Sequence, residues 1–520
     1  MQSGYIVKRN EYKDSVFLMR VAKELASQDG ITGTAALMAT AKNKQLLAEM
    51  DVAGPEIETA GPNDLVLAAK GESMEKIEAA LARAEVLLHP EPGRDGVSSS
   101  FRTLDAALAS QPRANLAVIS VPGEYAGAEA QRALERGLNV FLFSNGVPLE
   151  DELSLKRYAR DHGLIVMGPD CGTAIIGGVG VGFANAVRRG PVGAIGSSGT
   201  GLQEFTTLVH NAGAGISHAI GTGSADLSDA VGGLSTLSAL DALESDTGTT
   251  VIAVIAKPPG AETLARLLDR IGRARKPVVA CLLGAGTAQA GPCKGCTIVR
   301  TLDEAALLAL GLAAGRPSPP FPGGAVELEA FAARELSGMS PAQRYLRGLF
   351  AGGTLCYQAQ QILADAGLAV HANAPLPGNP VLPDPRRSQG HSLIDMGAEI
   401  FTQGRPHPMI DPALRRERLL EEAADPETAV ILLDFILGYN ASPDPAGELA
   451  GAIKEARALA AGRGGYLSVV ASVCGTDGDP QGLRGQIEAL EGAGAVVLPT
   501  GARAAMLCRD MVKLLEKKAG

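Results

Sequence analysis

"GPVGAIGSSGTGLQEF", residues 190–205, starts as a short apolar strand, passes through a run of small residues and ends as a helix. Gly196, Ser197, Ser198, Gly199, Thr200 and Gly201 stand where the strand gives way. A tight turn needs one or two glycines, and this cluster adds three hydroxyls. In open parallel sheets ligands bind beyond the carboxyl ends of the strands. Helix starts there present N–H groups to anions, glycine lets that backbone come close, and hydroxyls add donors. The stretch implies an α/β fold. It reads either as turn chemistry with Ser and Thr as helix caps or as an anion cradle.

Working outward, the same alternation recurs. From 101, "ANLAVISVP", "NVFLFSNG" and "LIVMG" read as strands separated by amphipathic helices. A second series follows with "VGAIG", "ISHAIGTG", "TVIAVIAK" and "PVVACLLG", with helices expected at 200–212, 226–244 and 260–274. A third, from about 340 to 517, holds "TAVILLDFILG", "GYLSVVASVCG" and "AVVLPT", and its shape echoes 192–312 closely enough to suggest an internal repeat. Short continuous apolar strands between helices mark parallel βαβ units. Residues 5–88 differ: their order, β-α-β-α-β-α, suits a small ferredoxin-like or ACT-like sandwich. "HPEPGRDGVSSS" (89–100) and "GRPSPPFPGG" (315–324) read as linkers. The expected divisions are 1–90, 101–188, 189–314, a linker at 315–335, and 336–520.

The 520 residues are enough for three or four domains at roughly 100–200 residues each, and the composition, 46% apolar and 20% charged, is globular. A net charge of −10 argues against a nucleic-acid partner, and 4% aromatics without tryptophan against base-stacking platforms. No run of about 18 apolar residues is present, and the first fifteen residues lack the apolar core of a signal peptide. Seven scattered cysteines fit reduced thiols, so the expected location is the cytoplasm. No metal site is expected: "PCKGC" (Cys293, Cys296) is a single C-x-x-C.

The cradle hypothesis names residues in several loops. Ser197, Ser198, Gly199, Thr200 and Gly201 would hold phosphate or a carboxylate. Gly221, Gly223 and Ser224 of "IGTGSADLSD" would face them, and Asp170, Cys171 and Gly172 of "MGPDCGTA" would close a third side. Asn440 of "FILGYNASPDPAG" and Gly475 and Thr476 of "SVCGTDGDPQG" belong to similar loops in the third series. There is no Gly-Lys-Ser/Thr ending of a Walker A and no G-x-G-x-x-G with a placed acid. Among seven histidines none forms H-x-x-x-H, and His391 and His407, flanking a polar stretch, are the best functional candidates. Arg405, in "TQGRPHP", is the candidate cation. Ser198, Thr200, His391 and Arg405 are the expected catalytic set.

The ordered loops carry a resemblance. "FSNGVPLEDELSLKRYARDHGLIVMGPDCGTAI", "GPVGAIGSSGTGLQEFTTLVHNAGAGISHAIGTGSADLSD" and "KPVVACLLG", within 101–312, resemble the α subunit of succinyl-CoA synthetase. "GHSLIDMGAEI" and "AVILLDFILGYNASPDP" resemble the ligase domain of the β subunit. The whole chain resembles the FdrA family, labelled acyl-CoA synthetases and associated with oxamate carbamoyltransferase in allantoin breakdown. The resemblance implies a CoA-binding Rossmann-like domain and two flavodoxin-like ligase domains behind the N-terminal ACT-like unit. It also implies a carbamoyltransferase subunit interconverting oxalurate plus phosphate and oxamate plus carbamoyl phosphate. The alternatives are an acyl-CoA synthetase completed by another subunit and a non-catalytic scaffold or sensor. Expected partners are those small molecules, further enzyme subunits and other copies of the chain. No cofactor is firmly implied, CoA being the one the resemblance allows. One departure bears on the chemistry. The synthetases relay phosphate through a histidine just after the strand matching "KPVVACLLG", whereas 285–299 here reads "AGTAQAGPCKGCTIV", and no histidine lies between His218 and His371.

Overall fold

The computed structural model describes residues 2–13, 15–89, 101–284, 295–317, 325–402 and 405–519. The chain forms two compact units, one of residues 1–114 with 399–411, the other of 115–398 with 412–520. Among the described residues no helix is long and apolar enough to cross a membrane.

In the first unit, strands Gln2–Lys8 and Ile31–Met38 flank Leu65–Gly71, both antiparallel to it. This is the split βαβ arrangement of ferredoxin-like folds without their fourth strand. Helices Ser15–Ala26 and Met74–Leu88 cover one face through Leu18, Leu25, Ile77 and Leu81. Leu47, Val52 and Ile57 cover the other. The central strand is thereby buried on both faces, which explains its unbroken "LVLAA". Within this unit Lys23 Nζ donates to Ile410 O at 3.3 Å, tying down the segment 399–411.

Among the described residues the second unit holds three sheets. Leu116–Ile119, Asn139–Leu142 and Val166–Met167 make a small parallel sheet. The next sheet runs in the order Cys296–Val299, Val278–Leu282, Val251–Ala256, Arg189–Gly196, Ile216–Gly221, Thr173–Ile176, Val179–Gly182. Its last two strands are an antiparallel hairpin turning on Gly177 (φ 60°) and Gly178 (φ 88°), the left-handed pair a two-residue hairpin loop requires. The hairpin moves the expected division at 188/189, because 173–182 pair with the sheet that follows them. The third sheet is wholly parallel, ordered His371–Ala372, Ser392–Asp395, Tyr345–Phe350, Thr428–Ile436, Ser468–Cys474, Val496–Leu498. Two further expectations change. The linker at 315–335 contains helix Ala325–Glu335, while 318–324 lie outside the described residues. The helix expected at 226–244 spans Leu234–Ser245, because Asp226 accepts the Ser235 and Thr236 N–H groups and holds 226–233 as a turn.

The last two sheets repeat one chain path. In each the lead strand is central: Arg189–Gly196 has Ile216–Gly221 to one side and the three later strands to the other, and Tyr345–Phe350 has His371–Ala372 and Ser392–Asp395 to one side and the three later strands to the other. The helices after the lead strands, Gly199–Asn211 and Gly353–Ala364, correspond, as do the last helices, Leu302–Ala314 and Gly501–Ala519. The modules exchange reciprocal hydrogen bonds. Gly501 N donates to Glu204 Oε1 at 3.0 Å, and Leu302 N donates to Gln358 Oε1 at 2.7 Å. Glu204 and Gln358 are each the sixth residue of a lead helix.

Candidate functional site

The two lead helices begin side by side. Ser198 is the N-cap of the first, yet its side chain makes no capping bond, and its hydroxyl pairs instead with the Thr354 hydroxyl of the second. Gly352, the N-cap of the second helix, has no side chain to cap with. Two helix starts without side-chain caps on their N-cap residues, each carrying a partial positive charge, therefore meet. The repeat aligns Ser198-Gly199-Thr200 with Gly352-Gly353-Thr354.

Glycine is required here for space. A Cβ on Gly199 would lie 2.9 Å from Thr173 Oγ1, one on Gly201 2.9 Å from Thr354 Cγ2, and one on Gly353 2.5 Å from Asp395 Oδ2. The first two contacts show neighbouring elements packing on the helix start. The third shows side-chain charge converging on it, since the same Gly353 position is 3.2 Å from Lys257 Nζ.

Lys257 directly follows the all-apolar strand Val251–Ala256, so its ammonium emerges at the carboxyl edge of the sheet, 4.9 Å from the Tyr357 ring centroid. Asp395 ends strand Ser392–Asp395 and is 7% exposed. Asn373 fixes its backbone, accepting from Asp395 N at 2.9 Å and donating to Asp395 O at 2.8 Å. Gly397 N donates to Asp395 Oδ1 at 3.0 Å. Burial pushes the Asp395 carboxyl above the usual range, against the pull of Lys257. Asp434, on strand Thr428–Ile436 across Tyr345–Phe350 from Asp395, accepts from Ala351 N and Gly352 N at 2.7 Å each and pairs with Arg415 at 3.1 Å. That buried pair anchors the second helix start.

The loops of "MGPDCGTA" and "IGTGSADLSD" touch each other. A Cβ on Gly221 would meet Cys171 Sγ at 2.4 Å, and one on Gly223, held at φ +88°, would meet Pro169 O at 2.3 Å. Thr222 N donates to Gly196 O at 2.9 Å, joining this loop to the lead strand. Asp170 and Ser224 are exposed and Gly172 is half-buried, whereas Cys171 is buried, its thiol pushed up to about 12 by desolvation. Cys171 is thus a packing residue and not a nucleophile. Lys156, fully buried, ties the loop to the small sheet's domain through Asp226 at 2.9 Å, Glu152 at 2.7 Å and Thr222 O at 3.0 Å.

Four expected site residues lie elsewhere in the second unit, and a fifth, Arg405, is part of the first. His391 precedes its strand, at the amino edge of the sheet. Its Nδ1 accepts from Leu346 N at 3.1 Å, and burial, with Arg347 beside it, lowers its pKa to about 4. It is a satisfied structural histidine, and the correction follows from strand direction: Asp395, at the other end of the same strand, is the residue that reaches the cradle. Arg405 belongs to the first unit, whereas the cradle lies wholly within the second. Thr476 is fully buried, its hydroxyl donating to Ala186 O at 2.8 Å. Gly475 O accepts from Asn211 Nδ2 at 3.0 Å, at the far end of the lead helix. Asn440 donates to Gly182 O at 2.9 Å. Thr476 and Asn440 thus hold residues 182–186, and Gly475 the end of the lead helix, against the second module. Lys257, Gly353, Thr354, Asp395 and Asp434 were missed. Their signals were a charge directly after an apolar strand and a Gly-Gly-Thr repeating the Ser-Gly-Thr.

Residues 349–509 match a CoA-ligase family model, and residues 1–101 match a model described as an AllF heavy metal-associated domain. The chain is 40% identical over 516 residues, 98% of its length and 99% of the relative's, to the uncharacterized protein YahF of Escherichia coli (strain K12). It is 30% identical over 174 residues to the α subunit of ADP-forming succinate–CoA ligase from Methanothermobacter thermautotrophicus, covering 33% of this chain and 58% of that subunit. It is 25% identical over 256 residues to the ADP-forming sulfoacetate-CoA ligase subunit SauD of Bilophila wadsworthia, covering 45% of this chain and 85% of that subunit. The residues present do not fit a heavy metal in the N-terminal unit. Residues 1–101 contain no cysteine, and their one histidine, His89, sits 3.3 Å from Glu11.

Proposed function

The chain belongs to the family of Escherichia coli YahF, within the succinyl-CoA synthetase-like superfamily, and from that premise we propose that it transfers a carbamoyl group to and from phosphate. The reaction is oxalurate plus phosphate giving oxamate plus carbamoyl phosphate, as the resemblance to FdrA proteins implies. One observation carries the reading: the two helix starts without N-cap side-chain bonds and the Lys257 ammonium converge in a chain whose sequence has no histidine for a phosphate relay between His218 and His371. The match to the AllF model supports an allantoin-related role.

In this mechanism the N–H groups of Gly199, Thr200, Gly201, Gly353 and Thr354 bind phosphate beside the ureido carbonyl of oxalurate. Lys257 holds the substrate carboxylate, the part first assigned to Arg405. A phosphate oxygen attacks the carbonyl carbon, and negative charge grows on the carbonyl oxygen. Fixed N–H donors stabilise that charge, which is commonly the largest catalytic term. Holding both reactants together supplies the rest without a covalent intermediate. Relatives named as subunits support a partner subunit for this chain too.

Acyl-CoA formation with a partner-supplied nucleotide site is the second reading, and the CoA-ligase match and the names of the relatives favour it. CoA would then lie on the small sheet, where the first turns of the two helices carry Glu124 and Glu150, Asp151 and Glu152. Those acids oppose a diphosphate, and no step above runs through CoA. The test is phosphorus NMR on the complex isolated from its own cells by a tag on this chain. Oxalurate and phosphate alone are expected to give carbamoyl phosphate. No product until ATP, CoA and a carboxylic acid are supplied, followed by acyl-CoA, would replace this reading with the second.

A further inference from the structure

Oxamate is a poor leaving group. Expelling it from the tetrahedral adduct places an electron pair on an amide nitrogen, which must be protonated as the C–N bond breaks. Neither a helix start nor Lys257, already bound to a carboxylate, supplies that proton. Beside the cradle lies one group suited to it. Asp395 Oδ2 and Lys257 Nζ both approach Gly353, at the first turn of the second lead helix. Asp395 is almost wholly buried, its backbone is clamped by Asn373, and Gly397 donates to its other oxygen. This is not a folding contact of the kind Asp434 makes, with two N–H donors and a guanidinium.

Resting on the carbamoyl-transfer reading, we propose that Asp395 is a catalytic residue that donates its proton to the departing oxamate nitrogen and removes it in the reverse direction. In phosphorolysis the phosphate oxygen–carbon bond forms and the carbon–nitrogen bond breaks. The nitrogen takes the electron pair and the Asp395 proton, leaving oxamate, carbamoyl phosphate and an Asp395 carboxylate. In the reverse direction the carboxylate takes one amide proton as nitrogen attacks carbamoyl phosphate, and phosphate leaves with the electron pair of the broken bond. The groups facing Asp395 are Lys257 from the first module, Asp434 from the strand on the far side of Tyr345–Phe350, and Cys356 and Tyr357 from the lead helix. Burial and the Asp434 charge favour the protonated acid that phosphorolysis needs, and Lys257 tempers them.

The test uses the isolated complex with wild-type chain, Asp395→Asn and Asp395→Glu, and two reactions. One is phosphorolysis of oxalurate. The other is carbamoyl transfer from carbamoyl phosphate to hydroxylamine, whose free lone pair needs no base. Asp395→Asn is expected to lower kcat for phosphorolysis at least ~100-fold, the usual scale of general acid catalysis. It should leave phosphate affinity and hydroxylamine transfer within about threefold, and Asp395→Glu should restore part of the loss. In the wild type, phosphorolysis should fall as pH rises through the Asp395 titration while hydroxylamine transfer does not, a readout that needs no variant to fold. Full phosphorolysis by Asp395→Asn, or equal loss of both reactions with a flat wild-type pH profile, overturns the assignment. A wild type that phosphorolyses nothing overturns the carbamoyl-transfer reading beneath it.

Discussion

A methyl group on Gly353 would strike a carboxylate and an ammonium at once, at 2.5 and 3.2 Å. That single position defines the chemistry of the site. Lys257 is the only one of the two charges whose sign suits an oxyanion, so its removal should be felt first in anion binding. Charge-assisted hydrogen bonds are worth about 1.5–3 kcal/mol, so Lys257→Ala is expected to weaken oxamate binding about ten- to hundredfold and inorganic phosphate binding less. Calorimetric titration of both proteins reads this directly, and unchanged affinity would remove Lys257 from the site. Ser198 and Gly199 could be picked out from the sequence because hydroxyls and glycines were concentrated in a few positions. Lys257 could not, because a lysine after a strand is as often solvated as functional. His391 misled for a related reason. The sequence "GHSLID" shows a histidine and an aspartate flanking one strand but not which end faces a ligand, and parallel pairing decides that.

At the scale of elements, the two lead helices are held by the reciprocal bonds at Glu204 and Gln358, and the symmetry between them is broken by charge. Glu204 is an acid where its counterpart is an amide, and Asp303, at the start of the first module's last helix, is a second buried acid that accepts from Thr500 Oγ1 at 2.8 Å. Burial, with Glu204 beside it, pushes the Asp303 carboxyl up to about 7. The folded chain therefore holds a proton there that the unfolded chain has released above its ordinary pKa of 3.8. The associated stability is present below that value, is lost as pH rises through about 7, and stays lost above it. Asp303→Asn should accordingly raise the urea midpoint relative to wild type more at pH 8 than at pH 5, by on the order of 1–4 kcal/mol in stability. An equal difference at the two pH values would contradict the burial account. None of this was visible in the sequence, because the partners of Glu204, Gln358 and Asp303 lie far from them along the chain. The helices themselves were legible from periodicity. The hairpin at 173–182 was hidden because its four-residue strands read as a loop between two domains.

For the whole molecule, two copies of one α/β module in a single chain bring together what strand direction alone would leave apart. The carboxyl edges of both sheets meet at the helix starts, with first-module Lys257 facing second-module Asp395. Alternating apolar strands and glycine loops predicted the tandem parallel sheets, and the shared shape of 192–312 and 340–517 pointed to the repeat. The arrangement of the two modules against each other could not be read, since it rests on small residues such as Gly201, against which Thr354 packs. The central claim is that an oxyanion sits between those two helix starts. Anomalous diffraction from a crystal of the chain soaked in tungstate tests it most directly. The account predicts the strongest peak among the N–H groups of Gly199–Gly201 and of Gly353 and Thr354, within reach of Lys257. A site without a peak, with tungstate bound instead beside His391 or Arg405, would contradict it.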